Sequence, residues 1–136
     1  MKKYNHKILE KRIQKKWNEN NIFKTDFENK DKEKFYLLDM FPYPSGDGLH
    51  MGHTENYAIT DTLYRFKKMA GFNVLHPQGF DAFGLPAENY AIKTGIPPEE
   101  TIKKTTTRFK EQIANLGLGH NFFNDAVITS KPEYYK

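Results

Sequence analysis

Apolar positions near the start of the chain recur at helical intervals. Ile8, Leu9, Ile13 and Trp17 are separated by Lys-rich stretches, which predicts an amphipathic helix over residues 5–20. The charged stretch 24–34 reads as a linker or surface loop. Phe35-Tyr36-Leu37-Leu38-Asp39-Met40-Phe41 is a short apolar run without helical period and suits a buried strand. It stops at Pro42-Tyr43-Pro44-Ser45-Gly46-Asp47-Gly48, where prolines and glycines forbid regular structure and call for a tight, shaped loop. Beyond His53, the residues Ile59, Leu63, Phe66 and Ala70 resume a helical stripe, and Gly71 is placed to stop it. Residues 72–76 form a second strand candidate, closed by Pro77-Gln78-Gly79. Pro97-Pro98-Glu99-Glu100 opens a further helix, with proline tolerated in the first turn and acids favoured by the dipole. Its stripe is Ile102, Thr106, Phe109, Ile113 and Leu116, and Gly117 ends it. Residues 126–129 suit a third strand, and 132–136 look like one turn of another helix, cut off.

Strand, Gly-rich loop, helix, strand is a βαβ unit, so the expected class is α/β with a parallel sheet and a right-handed crossover. In such sheets ligands gather beyond the C-terminal strand ends. The loops 42–53 and 79–88 both follow apolar segments, and the topology predicts that they open on one crevice. A chain that stops inside a helical turn implies an incomplete sheet.

Composition narrows the class without choosing a function. With 136 residues, 38% hydrophobic and 28% charged, the chain suits a globular domain with a real core. Aromatics reach 15%, so the eight Tyr and eleven Phe must pack, line a pocket or await a partner surface. No apolar run approaches a membrane span, and no apolar stretch follows the basic first residues, so neither a membrane nor a secretory signal is expected. The absence of cysteine excludes disulfides and Cys-based zinc sites and gives no reason to place the chain outside the cytoplasm. Net charge is +4, from 21 basic and 17 acidic residues, which permits an anionic partner without demanding one.

Candidate chemistry sits in the two loops. His50-Met51-Gly52-His53 follows the Gly-rich loop and opens a helix, where free backbone N–H groups and the dipole favour an anion. Two histidines three apart add side-chain donors, and Gly52 leaves room for a flat group such as an adenine ring. The same tetrapeptide also fits two surface histidines capping a helix, or a metal pair lacking a nearby third ligand. Asp81 lies in Gly79-Phe80-Asp81-Ala82-Phe83-Gly84-Leu85-Pro86, an apolar setting where a lone carboxylate is costly to bury. A cationic ligand such as an amino-acid ammonium group would compensate it; the alternative is a cap for the helix that begins near Pro86. Phe41, Tyr43, Phe80 and Phe83 either shape an apolar pocket or belong to the core.

Met40-Phe41-Pro42-Tyr43-Pro44-Ser45-Gly46, Leu49-His50-Met51-Gly52-His53 and Asp81-Ala82-Phe83-Gly84-Leu85-Pro86-Ala87-Glu88 together resemble the first half of the catalytic domain of the leucyl-tRNA synthetase family. Residues 4–24, 64–77, Leu116-Gly117 and 132–136 also follow that family, so the resemblance covers nearly the whole chain. The histidine element alone would suit any class I synthetase or a related adenylyltransferase. The pairing of Phe41-Pro42-Tyr43-Pro44-Ser45-Gly46 with residues 81–88 narrows the resemblance to leucine.

The resemblance implies an incomplete Rossmann-like parallel sheet, with residues 1–34 as an N-terminal helix and charged linker and 35–136 as half of a nucleotide-binding catalytic domain. It implies ATP-dependent activation of leucine to leucyl-adenylate, then transfer to tRNA(Leu) by the complete enzyme. His50 and His53 would be the catalytic pair on the ATP phosphates, acting electrostatically. Pro42, Tyr43, Pro44, Ser45, Gly46 and Gly52 would complete the ATP site. Met40, Phe41, Tyr43 and Asp81 would hold leucine. Mg2+ would enter with ATP, bound mainly through the phosphates, and no protein side chains are assigned to a metal. The second, lysine-rich signature loop, the editing insertion and the anticodon-binding domain would lie in the missing C-terminal portion, a required partner. Without it, the chain is expected to hold ATP or an adenylate with little or no turnover. Two departures stand out: Phe80 where the family usually has tryptophan, and His120-Asn121-Phe122-Phe123-Asn124-Asp125 where it reads aromatic, Asp, Trp.

Overall fold

The computed structural model describes residues 4–44, 48–120 and 126–136. The first helix, α1 (His6–Glu19), is capped by the Asn5 side chain, which accepts from the Ile8 N–H. Strand β1 (Lys34–Tyr36) pairs in parallel with β2 (Asn73–Leu75), Phe35 lying opposite Val74, and the connecting helix is α2 (Met51–Met69). That is the expected βαβ unit. A second parallel ladder joins β3 (Gly79–Phe80) to β4 (Val127–Ile128). Between them lie α3 (Leu85–Thr94) and α4 (Pro98–Leu116), and α5 (Pro132–Tyr135) closes the chain.

The expected single sheet is therefore two short parallel ladders. The run 35–41 was expected to be one strand, but only its first two residues lie in the β1 ladder. The chain nevertheless keeps its course: Leu37 N–H donates to Leu75 O, and Asp81 N–H donates to Pro42 O at 3.1 Å. Segment 34–42 thus follows 73–81, departing from ladder pairing where Asp39 turns its carboxylate to the Met40 N–H. Strand β3 carried no periodic signal, because two residues are too few to show one.

The helix stripes need one correction. Helix α2 spans the expected residues, yet Ile59 and Phe66 are more than 60% exposed, and Leu63 faces outward too. Its buried face is Tyr57, Asp61 and Tyr64. Each carries a polar tip with a partner. Tyr57 OH donates to Met40 O, Tyr64 OH donates to Phe23 O, and Asp61 takes Arg65 Nε at 2.7 Å and Gly119 N at 2.7 Å. Arg65 also donates to Gly117 O and lies over the Trp17 ring, tying α1 to the ends of α2 and α4. Helix α4 buries Ile102, Thr105, Thr106, Phe109 and Ile113 largely as expected, although Leu116 stays exposed. Gly117 then ends it in the left-handed region, φ 72°.

One core cluster joins Tyr57, Phe80, Phe109, Ile113 and Ala126; a second joins Ala82, Ala87 and Ile102. The ring of Phe80 is fully buried, edge-on to Phe109, so it is core rather than pocket wall. Among the described residues no helix is long and apolar enough to cross a membrane.

Candidate active site

His50 is the N-cap of α2 and His53 its third helical residue. The His53 N–H donates to His50 Nδ1 at 3.4 Å, and the His50 N–H donates to His53 Nδ1 at 3.2 Å. This is a reciprocal capping box built from two imidazoles. The rings stack with centroids 3.7 Å apart. Because each Nδ1 accepts a backbone N–H, each neutral ring carries its proton on Nε2. Two Nε2–H donors are thereby left to serve a ligand, at a helix N-terminus already favourable to anions. Burial, then the neighbouring His50, hold the His53 pKa below the usual histidine value, which keeps the ring in this neutral form. The capping and anion-binding readings of the tetrapeptide are thus compatible. Gly52 leaves the His50 ring its room: a Cβ there would stand 3.1 Å from the ring, which would have to shift by a few tenths of an ångström.

The loop ahead of His50 is fastened to α4. Leu49 N–H donates to Gln112 Oε1 at 2.9 Å, and Thr105 Oγ1 donates to Pro44 O at 2.8 Å. Gly48 takes φ 124°, and a Cβ there would fall 2.6 Å from Gln112 Nε2. Neither Gln112 nor Thr105 stands out in the sequence, since both are ordinary polar members of a long helix. A faint signal was available in Thr105, a small polar residue beside the apolar stripe of α4. Ser45 and Gly46, also assigned to ATP, lie outside the described residues, as do residues 121–125 of the second departure.

The two candidate loops are bonded to each other. Tyr43 OH donates to Gly84 O at 3.0 Å and accepts the Ala87 N–H at 3.2 Å, so one side chain joins the first loop to the start of α3. With the Asp81–Pro42 backbone bond, this brings Met40, Phe41, Tyr43 and Asp81 to one edge. Tyr57 OH fixes the Met40 carbonyl from within α2. Pro42 and Pro44 are buried, whereas Met40 is exposed.

Asp81 differs from expectation. It is exposed rather than buried in an apolar setting, so its carboxylate keeps its hydration and no compensating cation is needed for folding. It is not the cap of α3 either; that position is Gly84, with no side-chain cap bond. Phe83 is also exposed, edge-on to Tyr135.

Comparison with known proteins places this geometry. The chain is similar to a LeuRS of Agrobacterium radiobacter, solved in a ternary complex with tRNA and LeuAMS, at 42% identity and a TM-score of 0.88. That match covers 97% of this chain and 17% of the other. Methionyl-tRNA synthetase of Mycobacterium tuberculosis, solved with methionyl-adenylate, shares the fold at 23% identity and a TM-score of 0.67, over 74% of this chain and 19% of that one. The chain thus spans about a fifth or less of the length of either enzyme. Residues 12–127 match the family model described as tRNA synthetases class I (I, L, M and V). By that match, over most of its length, the chain belongs to the class I tRNA synthetases of the isoleucine, leucine, methionine and valine group.

Proposed function

We propose that this chain supplies the ATP-phosphate and amino-acid half of a leucine–tRNA ligase active site. The observation that carries the reading is the Tyr43 junction, which sets the segment beginning at Asp81 against the Phe-Pro-Tyr-Pro segment. The likeness to the Agrobacterium LeuRS supports leucine over the other members of the group.

In this reading the leucine carboxylate oxygen attacks the α-phosphorus of ATP. The bond from that phosphorus to the bridging oxygen breaks, and pyrophosphate leaves. His50 and His53 direct their Nε2–H donors at phosphate oxygens and stabilise charge as it moves onto the leaving group. Gly52 lies against the adenine, and Pro42, Tyr43, Pro44, Ser45 and Gly46 shape the loop beside the nucleotide. Met40, Phe41 and Tyr43 border the amino acid, with the Asp81 carboxylate on its ammonium group. Exposure of Asp81 suits an arriving cation, because the carboxylate is accessible. Magnesium would enter on the ATP phosphates, neutralising their charge; His50 and His53 are nitrogen donors and would bind the phosphates, not that ion.

The outward apolar side chains of α2, Ile59, Leu63, Phe66 and Met69, suit contact with the remainder of a catalytic domain, which would complete the site for transfer to tRNA(Leu). Alone, the chain would bind ATP or the adenylate with little or no turnover. ATP–pyrophosphate exchange, with the remaining catalytic segment supplied, tests the reading. Leucine should be preferred over isoleucine, valine and methionine, and Asp81→Ala should raise the leucine KM while sparing that of ATP. Equal rates with all four amino acids would refute the leucine assignment.

A further inference from the structure

Three ligand-bearing side chains that the activation chemistry does not use converge inside the fold. Asp39 follows β1, His76 follows β2 and His120 follows α4, and a ligand atom from each lies within 4.8 Å of the others. All three side chains are buried, with 6%, 5% and 4% of their surface exposed. The Asp39 carboxylate is already aimed: it accepts from the Met40 N–H and from Asn56 and Thr60, both on α2. Both ring nitrogens of His76 are buried without a hydrogen-bond partner among the described residues. The His76 and His120 rings stand 4.4 Å apart, centroid to centroid, and Tyr57 and Tyr64 pack on their outer sides.

We propose that Asp39, His76 and His120 form a binding site for a divalent transition cation of the zinc class. Two imidazoles and one carboxylate are a donor set that such ions accept, and a hard, oxygen-seeking ion would not choose it. Ligand atoms around a tetrahedral ion stand about 3.3 Å apart, so binding would require the ligand atoms to draw together from the present spacing of up to 4.8 Å. Burial, the largest cause for both rings, pushes His76 below the usual histidine pKa and His120 down to about 3. Both are therefore neutral near pH 7, the form that ligates. Asn56 and Thr60 play the outer part of the site by fixing the carboxylate. A bound ion would pin the ends of β1 and β2 to the segment after α4, directly behind Met40.

Cobalt titration of the full, chelator-treated chain tests the proposal. One equivalent should bind, giving the visible absorption of a low-symmetry N/O site, and zinc should displace it and raise the Tm. His120→Phe retains a ring against Tyr57; provided circular dichroism shows it folded, it should lose the band and weaken binding by about tenfold or more. His50→Ala/His53→Ala should keep both band and stoichiometry. X-ray absorption of the zinc-loaded unaltered chain should show two imidazole ligands, a readout independent of any variant. Absence of one-equivalent binding at micromolar metal, a band surviving in folded His120→Phe, or a band lost with His50 and His53 would overturn it.

Discussion

His50 and His53 cap each other: each Nδ1 accepts the other residue's backbone N–H, and the rings stack 3.7 Å apart. One helix start is thus held by the same two side chains that present its donors. Structural and chemical roles can be separated by substitution. His53→Glu keeps an acceptor at the third helical position, where acids are favoured by the dipole, so the fold should lose less than about 0.5 kcal/mol. In the proposed site its negative charge would replace a donor to phosphate, so ATP–pyrophosphate exchange, with the remaining catalytic segment supplied, should fall by about 10²–10³ or more. Urea denaturation beside the exchange assay checks both halves; a full-rate His53→Glu enzyme would remove His53 from the chemistry.

Protonation should undo the same cap. The His53 pKa is lowered in the folded state, so its stabilising effect is complete above the unfolded value near 6.5. It is lost as pH falls through the lower folded value, because a protonated Nδ1 can no longer accept. His53→Gln keeps a non-titrating acceptor there. The stability of the native protein relative to His53→Gln should drop by up to about 1 kcal/mol between pH 7 and pH 5. A difference that stays level across that range would contradict the assigned tautomers.

Gly48 and Gln112 should be coupled. Gly48→Ala meets both a positive φ and the Gln112 side chain, and should cost about 1–3 kcal/mol. Gln112→Ala removes the clash but leaves the φ strain, and frees the Leu49 N–H. The double variant should therefore be more stable than the sum of the two single losses implies, by about 0.5 kcal/mol or more. Strict additivity in a double-mutant cycle would mean that the clash is relieved elsewhere.

Tyr43→Phe removes one hydroxyl that serves two backbone groups, Gly84 O and Ala87 N. Loss of about 1–2 kcal/mol is expected, measured by urea denaturation. Since this hydroxyl joins the two loops and Tyr43 is proposed to border both ligands, the KM for leucine and for ATP should both rise when exchange is assayed with the remaining catalytic segment supplied. A variant as stable as the native protein would show that the junction is dispensable.

Much of this architecture is legible in the sequence because it is local. Apolar spacing sets α1, α2 and α4, Gly117 stops α4 in a conformation that favours glycine, and the Pro- and Gly-rich run after Phe41 excludes a longer strand. The histidine element declares a helix start with anion-binding character, and the family resemblance extends it to a nucleotide site. Tertiary structure decided which face of α2 is buried, because tyrosine and aspartate are hidden only where a distant partner such as Met40 O or Gly119 N satisfies them. It also placed Asp81 at the surface, joined Gln112 to Leu49 across 63 positions, and gathered Asp39, His76 and His120. Spacing along a chain reports short-range backbone geometry; contacts between remote side chains depend on how the elements pack, and no local pattern encodes that.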